Sequence, residues 1–499
     1  MALASQPGVA KPAKKDKMAD PKTYIHIAIG IILMFGGQHL PPIEPITEVG
    51  MQVLFIFIGV IYLWSTVEST WSSLLAVIAL GMSDYANMGT VLQNAFGNST
   101  VLLVFFSMIF FGAILEAGVA EYISRWFLTR KINTGRPYVF SYIYIFGVYV
   151  VSALTNCFTA LMISWPIAYT IIKDLGYTAK DKYAKFLVFG TFIGAILGQP
   201  TIPFRGTKLM MIEAFNKASG QTIGFLNYIL FDVVMAVIIV FALILLCKFV
   251  YRCDVTRVKN LDVSVFELEE NKLPPMTKTQ KFYFYSMFIY IVTLLAPTVL
   301  PTNWPIISTL AALGPTGITI LWVVLCCVLR IDKKQIMNFK PIVGKHVNWG
   351  MLFLVVVAIL MASALTSDPT GIKPAIMNVL NPLLGGRGTV ATAIILMIFG
   401  FMLTNFANNA VIGIIVLPVF GTFAGEAGMG AVAAPIATCT MLMIYLAFLT
   451  PAASPYAAML FANKEWLSPG DILKHGIPLA ITIVLLYATI GFQIAQFII

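Results

Sequence analysis

The stretch LTNFANNAVIGIIVLP, Leu403 to Pro418, sets three carboxamides, Asn405, Asn408 and Asn409, inside an otherwise apolar run. An amide carries one acceptor oxygen and two N–H donors. Buried without partners, each costs roughly 1–3 kcal/mol. The chemistry on offer is coordination: carbonyl oxygen for a cation, N–H for an anion, or both for the chain's own backbone. A second stretch, SALTNCF (Ser152 to Phe158), offers the same chemistry. Aligning Ser152 with Thr404 sets Asn156 over Asn408 and Cys157 over Asn409, and places Pro166 and Pro418 equally far beyond. A competing register pairs Asn156 with Asn409 and needs a one-residue insertion before Pro166.

The elements that position these groups are membrane spans. The chain has 499 residues, 59% hydrophobic and 11% charged, where soluble domains run near a quarter charged. It reads as an all-α polytopic membrane protein in the lipid bilayer. The net charge of +10 comes from Lys and Arg in loops between apolar runs. The positive-inside rule explains such charges, so no nucleic-acid partner is expected. The polar N-terminal tail is too long for the n-region of a secretory signal peptide. The six cysteines are expected to form no disulfide, and the four histidines match no metal-site spacing. No phosphate loop of the GxxxxGK[ST] type appears, and no nucleophile lies beside a matched base, so neither an ATP-driven pump nor an enzyme is expected, and no cofactor.

A span needs about 20 apolar residues. Two apolar blocks, 137–172 and 388–423, are too long for one span and short for two. The first is flanked by Arg125, Arg130, Lys131 and Arg136 on one side and by Lys173, Lys180, Lys182 and Lys185 on the other. Both flanks read as cytosolic, so the block reads as a re-entrant hairpin. Charge parity puts the second block on the outer side. Opposed hairpins in corresponding places are the signature of an inverted repeat. The expected organisation is a basic cytosolic tail (1–23), a first span and outer loop (24–48), a first repeat (49–250), a cytosolic linker (251–280) and a second repeat (281–499). About eleven spans result, with the N-terminus cytosolic, in a plasma or bacterial inner membrane.

A second pair of motifs follows each hairpin. Segment 183–215 is interrupted by GQPTIPF (Gly198 to Phe204), and 431–463 by TPAASPY (Thr450 to Tyr456). Paired prolines break a span, and broken backbone at membrane depth is tolerated where it lines a cavity or is buried in protein. The half-helix after a break presents free N–H groups to an anion, while exposed carbonyls suit Na⁺. Four discontinuities at matched places point to one central site.

At these residues the chain resembles the divalent-anion:sodium symporters, carriers of dicarboxylates, citrate and sulfate. YLWSTVESTWSSLLAVIAL resembles the family's early Trp-x-x-x-Glu span, with Trp64 and Glu68 in place. STVLLVFFSMIFFGAILEAGVAEYISRWFL resembles the segment before its first hairpin, and FLTPAASPYAAMLFANKEWLSPGDILKHGIPLAI its last broken helix. The resemblance implies an eleven-span homodimer whose transport domain slides against a scaffold like an elevator. It also implies two sodium sites, one framed by Ser152, Asn156 and Gly198, the other by Thr404, Ala407, Asn409 and Ala453. Members carry Ser-Asn-Thr at both tips. Here the triplets read Asn156-Cys157-Phe158, or Thr155-Asn156-Cys157 in the shifted register, and Asn408-Asn409-Ala410, so both threonine hydroxyls are missing.

The expected function is secondary active transport of small organic anions, di- or tricarboxylates, with Na⁺ as coupling ion. The anion is expected against Thr155, Asn156, Cys157, Pro200, Thr201 and Arg205 from the first half, and Asn408, Asn409, Ser454 and Pro455 from the second. Arg205, set against Leu460 by symmetry, pairs with Glu213 or a lipid phosphate, snorkels outward, or supplies a fixed positive charge to the anion. Lys208 is expected at the membrane interface. Glu68 is expected to hold the scaffold together. Sodium-independent exchange, a channel on the same fold and a non-transporting relative remain open alternatives.

Overall fold

The computed structural model describes residues 21–128, 135–204, 206–260, 274–451 and 453–499. The basic tail up to residue 20, half of the linker, Arg130, Lys131 and Arg205 lie outside the described residues.

Apolar backbone in lipid satisfies its hydrogen bonds internally, and helices dominate accordingly. The chain opens with α1 (Pro21–Gly36), α2 (Glu48–Thr66) and α3 (Thr70–Met82), followed by α4 (Met88–Phe96), α5 (Ser99–Glu116) and α6 (Val119–Leu128). The first hairpin is α7 (Pro137–Leu154) and α8 (Cys157–Asp174). The first interrupted helix is α9 (Lys182–Gly198) and α10 (Thr207–Ser219). After α11 (Phe225–Leu245) and a π-helical turn come α12 (Lys278–Val299), α13 (Pro305–Val328), α14 (Phe339–His346), α15 (Trp349–Leu365) and α16 (Ile372–Leu384). The second hairpin is α17 (Thr389–Thr404) and α18 (Asn409–Glu426), and the second interrupted helix is α19 (Ala433–Tyr445) and α20 (Pro455–Ala462). The chain closes with α21 (Pro469–Leu486), another π-helical turn and α22 (Phe492–Ile498).

Among the described residues eight helices are long and apolar enough to cross a membrane, or up to ten if two bent pairs each count as one span. Eleven were expected from apolar runs alone. The expectation counts α1, α3 and both interrupted helices as full spans, whereas each of these pieces is shorter, and it leaves out the hairpin arms α7 and α18, which are long enough by this measure. It also misses α16, whose Pro382 and polar residues obscure the apolar pattern; α16 bends 108° into α17.

Local chemistry sets the helix starts. The Asn156 side chain accepts from the Thr159 N–H at 2.8 Å and the Asn408 side chain from the Ala410 N–H at 2.9 Å, so each caps the second arm of its hairpin. Both second arms then run for 18 residues over a proline, Pro166 or Pro418. The threonine one turn on, Thr170 or Thr422, donates to the proline carbonyl. These repeated contacts fix the register: Asn156 matches Asn408.

Glu68 accepts from the Thr70 and Trp71 N–H groups at 2.8 and 2.7 Å, closing the start of α3, while Trp64 donates to Ser73 at 3.0 Å. Glu68 is thus a structural cap. The core runs continuously through both hairpins and both interrupted helices. Within it α7 packs on α9, α17 on α19, and α10 along α18.

Candidate functional site

The three asparagines of the second hairpin have different surroundings. Asn405 is buried, and its oxygen accepts from the Phe448 and Leu449 N–H groups at 3.1 and 2.8 Å while its nitrogen donates to the Phe401 carbonyl at 2.7 Å. Phe448 and Leu449 lie in the unwound stretch that follows α19 from Leu446 onward. One amide thus supplies the acceptors that the broken helix lacks, and the Asn405 carbonyl accepts in turn from the Thr450 hydroxyl. Asn408 is exposed and caps α18. Asn409 is buried: its backbone N–H donates to the Ala453 carbonyl at 3.2 Å, and its side-chain nitrogen has no protein partner.

Each hairpin grips its interrupted helix in the same way. The Ser152 hydroxyl donates to the Ala195 carbonyl at 2.5 Å, and the Thr404 hydroxyl donates to the Ile444 carbonyl at 2.9 Å. At Gly198 the approach is closer still. A Cβ there would stand 2.2 Å from the Tyr149 carbonyl oxygen and 2.8 Å from the Ala153 nitrogen. Ser152 and Gly198 are therefore in contact, as are Asn409 and Ala453. Ala407 is half-buried in the second tip.

The two breaks meet. The Thr207 hydroxyl, at the start of α10, shares a 2.6 Å hydrogen bond with Tyr445 at the end of α19. Around this crossing lies a cavity of about 180 Å³, lined by Thr155 and Asn156 of the first tip, Gln199 and Gly206 to Lys208 of the first break, and Tyr456 of α20. His346, Asn348, Met108 and Met351 close the opposite wall. Clefts of about 330 and 310 Å³ open elsewhere, and neither contains a tip or break residue.

Among the described residues of this cavity wall no Asp or Glu appears, and Lys208 brings an ammonium group to it. Lys208 is 7% exposed and donates from Nζ to the Gln199 carbonyl at 2.8 Å. The expectation of an interfacial lysine is corrected: α10 turns inward at Gly206, whose φ of +71° suits glycine, and carries Lys208 to the crossing. The side-chain oxygen of Gln199 is buried without a protein partner.

A family model described as the sodium:sulfate symporter transmembrane region matches residues 21–499. The chain belongs to this family. It is an integral membrane transporter of the sodium-coupled anion class, not an enzyme. The YdaH transporter of Alcanivorax borkumensis is similar in structure, with a TM-score of 0.53 over 81% of this chain and 86% of that one. At 12% identity that likeness concerns the fold alone. Among curated proteins none matches the transporter.

Not every expected site residue of the transporter faces the cavity. Pro200 and Thr201 are buried beneath the break: the Pro200 carbonyl accepts from the Tyr228 hydroxyl at 2.9 Å, and the Thr201 hydroxyl donates to Tyr149 at 3.2 Å. Cys157 is fully buried in the core. Ser454 caps α20 by accepting from the Ala457 N–H at 3.0 Å, with Pro455 as the first helical residue. The half-helix after the first break begins at Thr207, not beside Pro200, since α9 ends at Gly198 and α10 starts only at Thr207. Leu460 lies inside α20, whereas position 205 precedes α10, so those two positions are not equivalent. Arg205 is outside the described residues. Gln199, Thr207, Lys208 and Tyr456 are among the lining residues outside the expected site, and a basic residue next to a break was the signal for Lys208.

Proposed function

We propose that this transporter carries small organic anions, di- or tricarboxylates, with Na⁺ as the coupling ion. The repeats 49–250 and 281–499 would supply the hairpins and interrupted helices that move together against the rest of a homodimer, in elevator fashion. The observation that carries the substrate class is the cavity at the crossing of the two breaks. It is small, lined by amides and hydroxyls together with Met108, Met351 and His346, and carries Lys208 with no carboxylate among its described lining residues. Its volume of about 180 Å³ is below the range of roughly 300–1,000 Å³ for drug-sized ligands. That suits a compact anion.

Sodium is supported by the oxygens gathered at the two grips. Ser152, Asn156 and Gly198 frame one candidate position, and Thr404, Ala407, Asn409 and Ala453 the other. Both hydroxyl grips lie against carbonyls at a helix break, the type of ligand that interrupted membrane helices offer to Na⁺. Cations bound there would offset the charge of a multivalent anion as it crosses the bilayer.

Lys208 favours a second reading, sodium-independent exchange of one anion for another. A fixed ammonium supplies charge that a bound sodium ion otherwise brings. Thermal unfolding of the purified protein with succinate, citrate, sulfate and phosphate, in NaCl and in choline chloride, separates the two. A ligand selective for the folded state raises stability by RT ln(1 + [L]/Kd). Symport requires that carboxylates stabilise only with sodium, exchange that they do so in both salts. Stabilisation by none of the carboxylates would overturn the substrate assignment.

A further inference from the structure

The family reading leaves a buried carboxyl group, that of Asp232, without a task. Asp232 lies in the middle of α11, the most apolar span, with a mean hydropathy of 3.2. It is 5% exposed. Its carboxyl oxygen accepts from the Tyr149 hydroxyl at 3.2 Å, and Tyr149 accepts in turn from Thr201 at 3.2 Å. One turn earlier on α11, Tyr228 donates to the Pro200 carbonyl. Asp232 therefore connects through hydroxyl groups to the backbone of the first break, and through Tyr149 to the helix that ends in the first tip.

The surroundings of Asp232 are those of a group that takes up a proton. Among the described residues no Lys, Arg or His stands within ion-pair distance of it. The titratable groups around it are Tyr149 of α7, Tyr228 of its own helix and Tyr487 beyond α21, all phenols, with Lys208 of α10 across the break and beyond ion-pair distance of Asp232. Among the described residues a carboxylate in such a place has no cation at ion-pair distance, which buried charge requires. A protonated carboxyl fits it, and the tyrosine and threonine hydroxyls can reorient as the proton arrives or leaves.

We infer that Asp232 is a proton-binding site of the first repeat, giving the transporter a second coupling ion beside Na⁺. Protonation of Asp232 reverses the demand on the Tyr149 hydroxyl, which donates to a carboxylate and can accept from a carboxylic acid. The hydroxyl pair Tyr149–Thr201 transmits that change to the first break. In the second half the break is held instead by the neutral amide of Asn405.

Infrared difference spectra of the purified full chain, taken while buffer is changed from alkaline to mildly acidic, test the site without any substrate. The expected result is a protonated-carboxyl band that shifts when aspartate is labelled with ¹³C at its carboxyl carbon and disappears in Asp232→Asn. In Tyr149→Phe the same band should move, because a hydrogen-bond partner is lost. If the asparagine variant does not fold, the labelled wild type and Tyr149→Phe still decide. No titrating aspartate band, or one that persists in Asp232→Asn, overturns the site. Coupling is then read in liposomes loaded with a pH-sensitive dye, using succinate and sulfate gradients. Dye responses in the wild type that Asp232→Asn abolishes while either anion still enters support the second ion, and anion entry without a dye response in the wild type overturns it. If neither anion enters, the substrate reading fails by itself and the spectra still rule on the proton site.

Discussion

The two breaks at the centre of the transporter are held open by opposite chemistry. In the second, the unwound backbone has N–H groups to satisfy, and Asn405 from its own hairpin accepts from two of them. In the first, the aligned hairpin residue is Ala153, and the break is answered through its carbonyls: Tyr228 donates to Pro200 and Lys208 to Gln199. The second break is self-contained and neutral. The first depends on α10 and α11, and two of the side chains around it, Lys208 and Asp232, are ionisable. An inverted repeat can therefore conserve a backbone shape while dividing the work unequally. One half secures the fold of the crossing, and the other supplies its charge.

Removing the amide is the most severe way to break this comparison. Asn405→Ala strands the Phe448 and Leu449 N–H groups in a buried place, at about 1–3 kcal/mol for each unsatisfied group. A large fall in melting temperature is expected, with or without sodium. A melting temperature close to wild type would mean that the second break does not rely on its hairpin.

Next in size is Gly198→Ala. The added methyl must displace backbone of the first hairpin, an overpacking that typically costs roughly 1–3 kcal/mol. The stabilisation by NaCl over choline chloride should shrink along with the melting temperature. Unchanged sodium stabilisation would separate this contact from the ion site.

Lys208→Met sharpens the charge side of the comparison. A hydrogen bond to a charged group contributes about 1.5–3 kcal/mol, so anion affinity should fall by roughly tenfold to a hundredfold. Isothermal titration with succinate reads this directly. The sodium-only thermal shift should survive the change, and equal loss of both would give Lys208 a structural role.

The smallest effects are expected from Ser152→Ala and Thr404→Ala, each removing one hydrogen bond at about 1 kcal/mol. Their value lies in the pair. If each carries one sodium position, sodium titrations monitored by melting should weaken in both variants and weaken further in the double variant. A response confined to one of them would assign sodium to that half alone.

Much of this architecture was legible in the residues. Asn156 and Asn408 announce helix starts because a short amide side chain can reach back to the first free N–H groups. The proline pairs announce interrupted helices because proline removes a donor. Hairpin positions followed from loop charge. What the motifs misplaced was the far side of the first break. Pro200 marks where α9 ends, but the half-helix begins only at Thr207.

The sequence by itself determined the membrane class, the family and the places where helices start and stop, because hydropathy, proline and capping act over a few neighbouring residues. Only the tertiary structure decided which polar groups remain for a ligand. Asn405 and Asn409 are alike in sequence. The first is saturated by a backbone more than forty residues away, while the second keeps a buried side-chain nitrogen with no protein partner. Lys208 and Asp232 likewise became informative only once α10 and α11 were packed around the break. Whether a buried polar group is structural or available depends on what packs against it, and those partners come from distant parts of the chain.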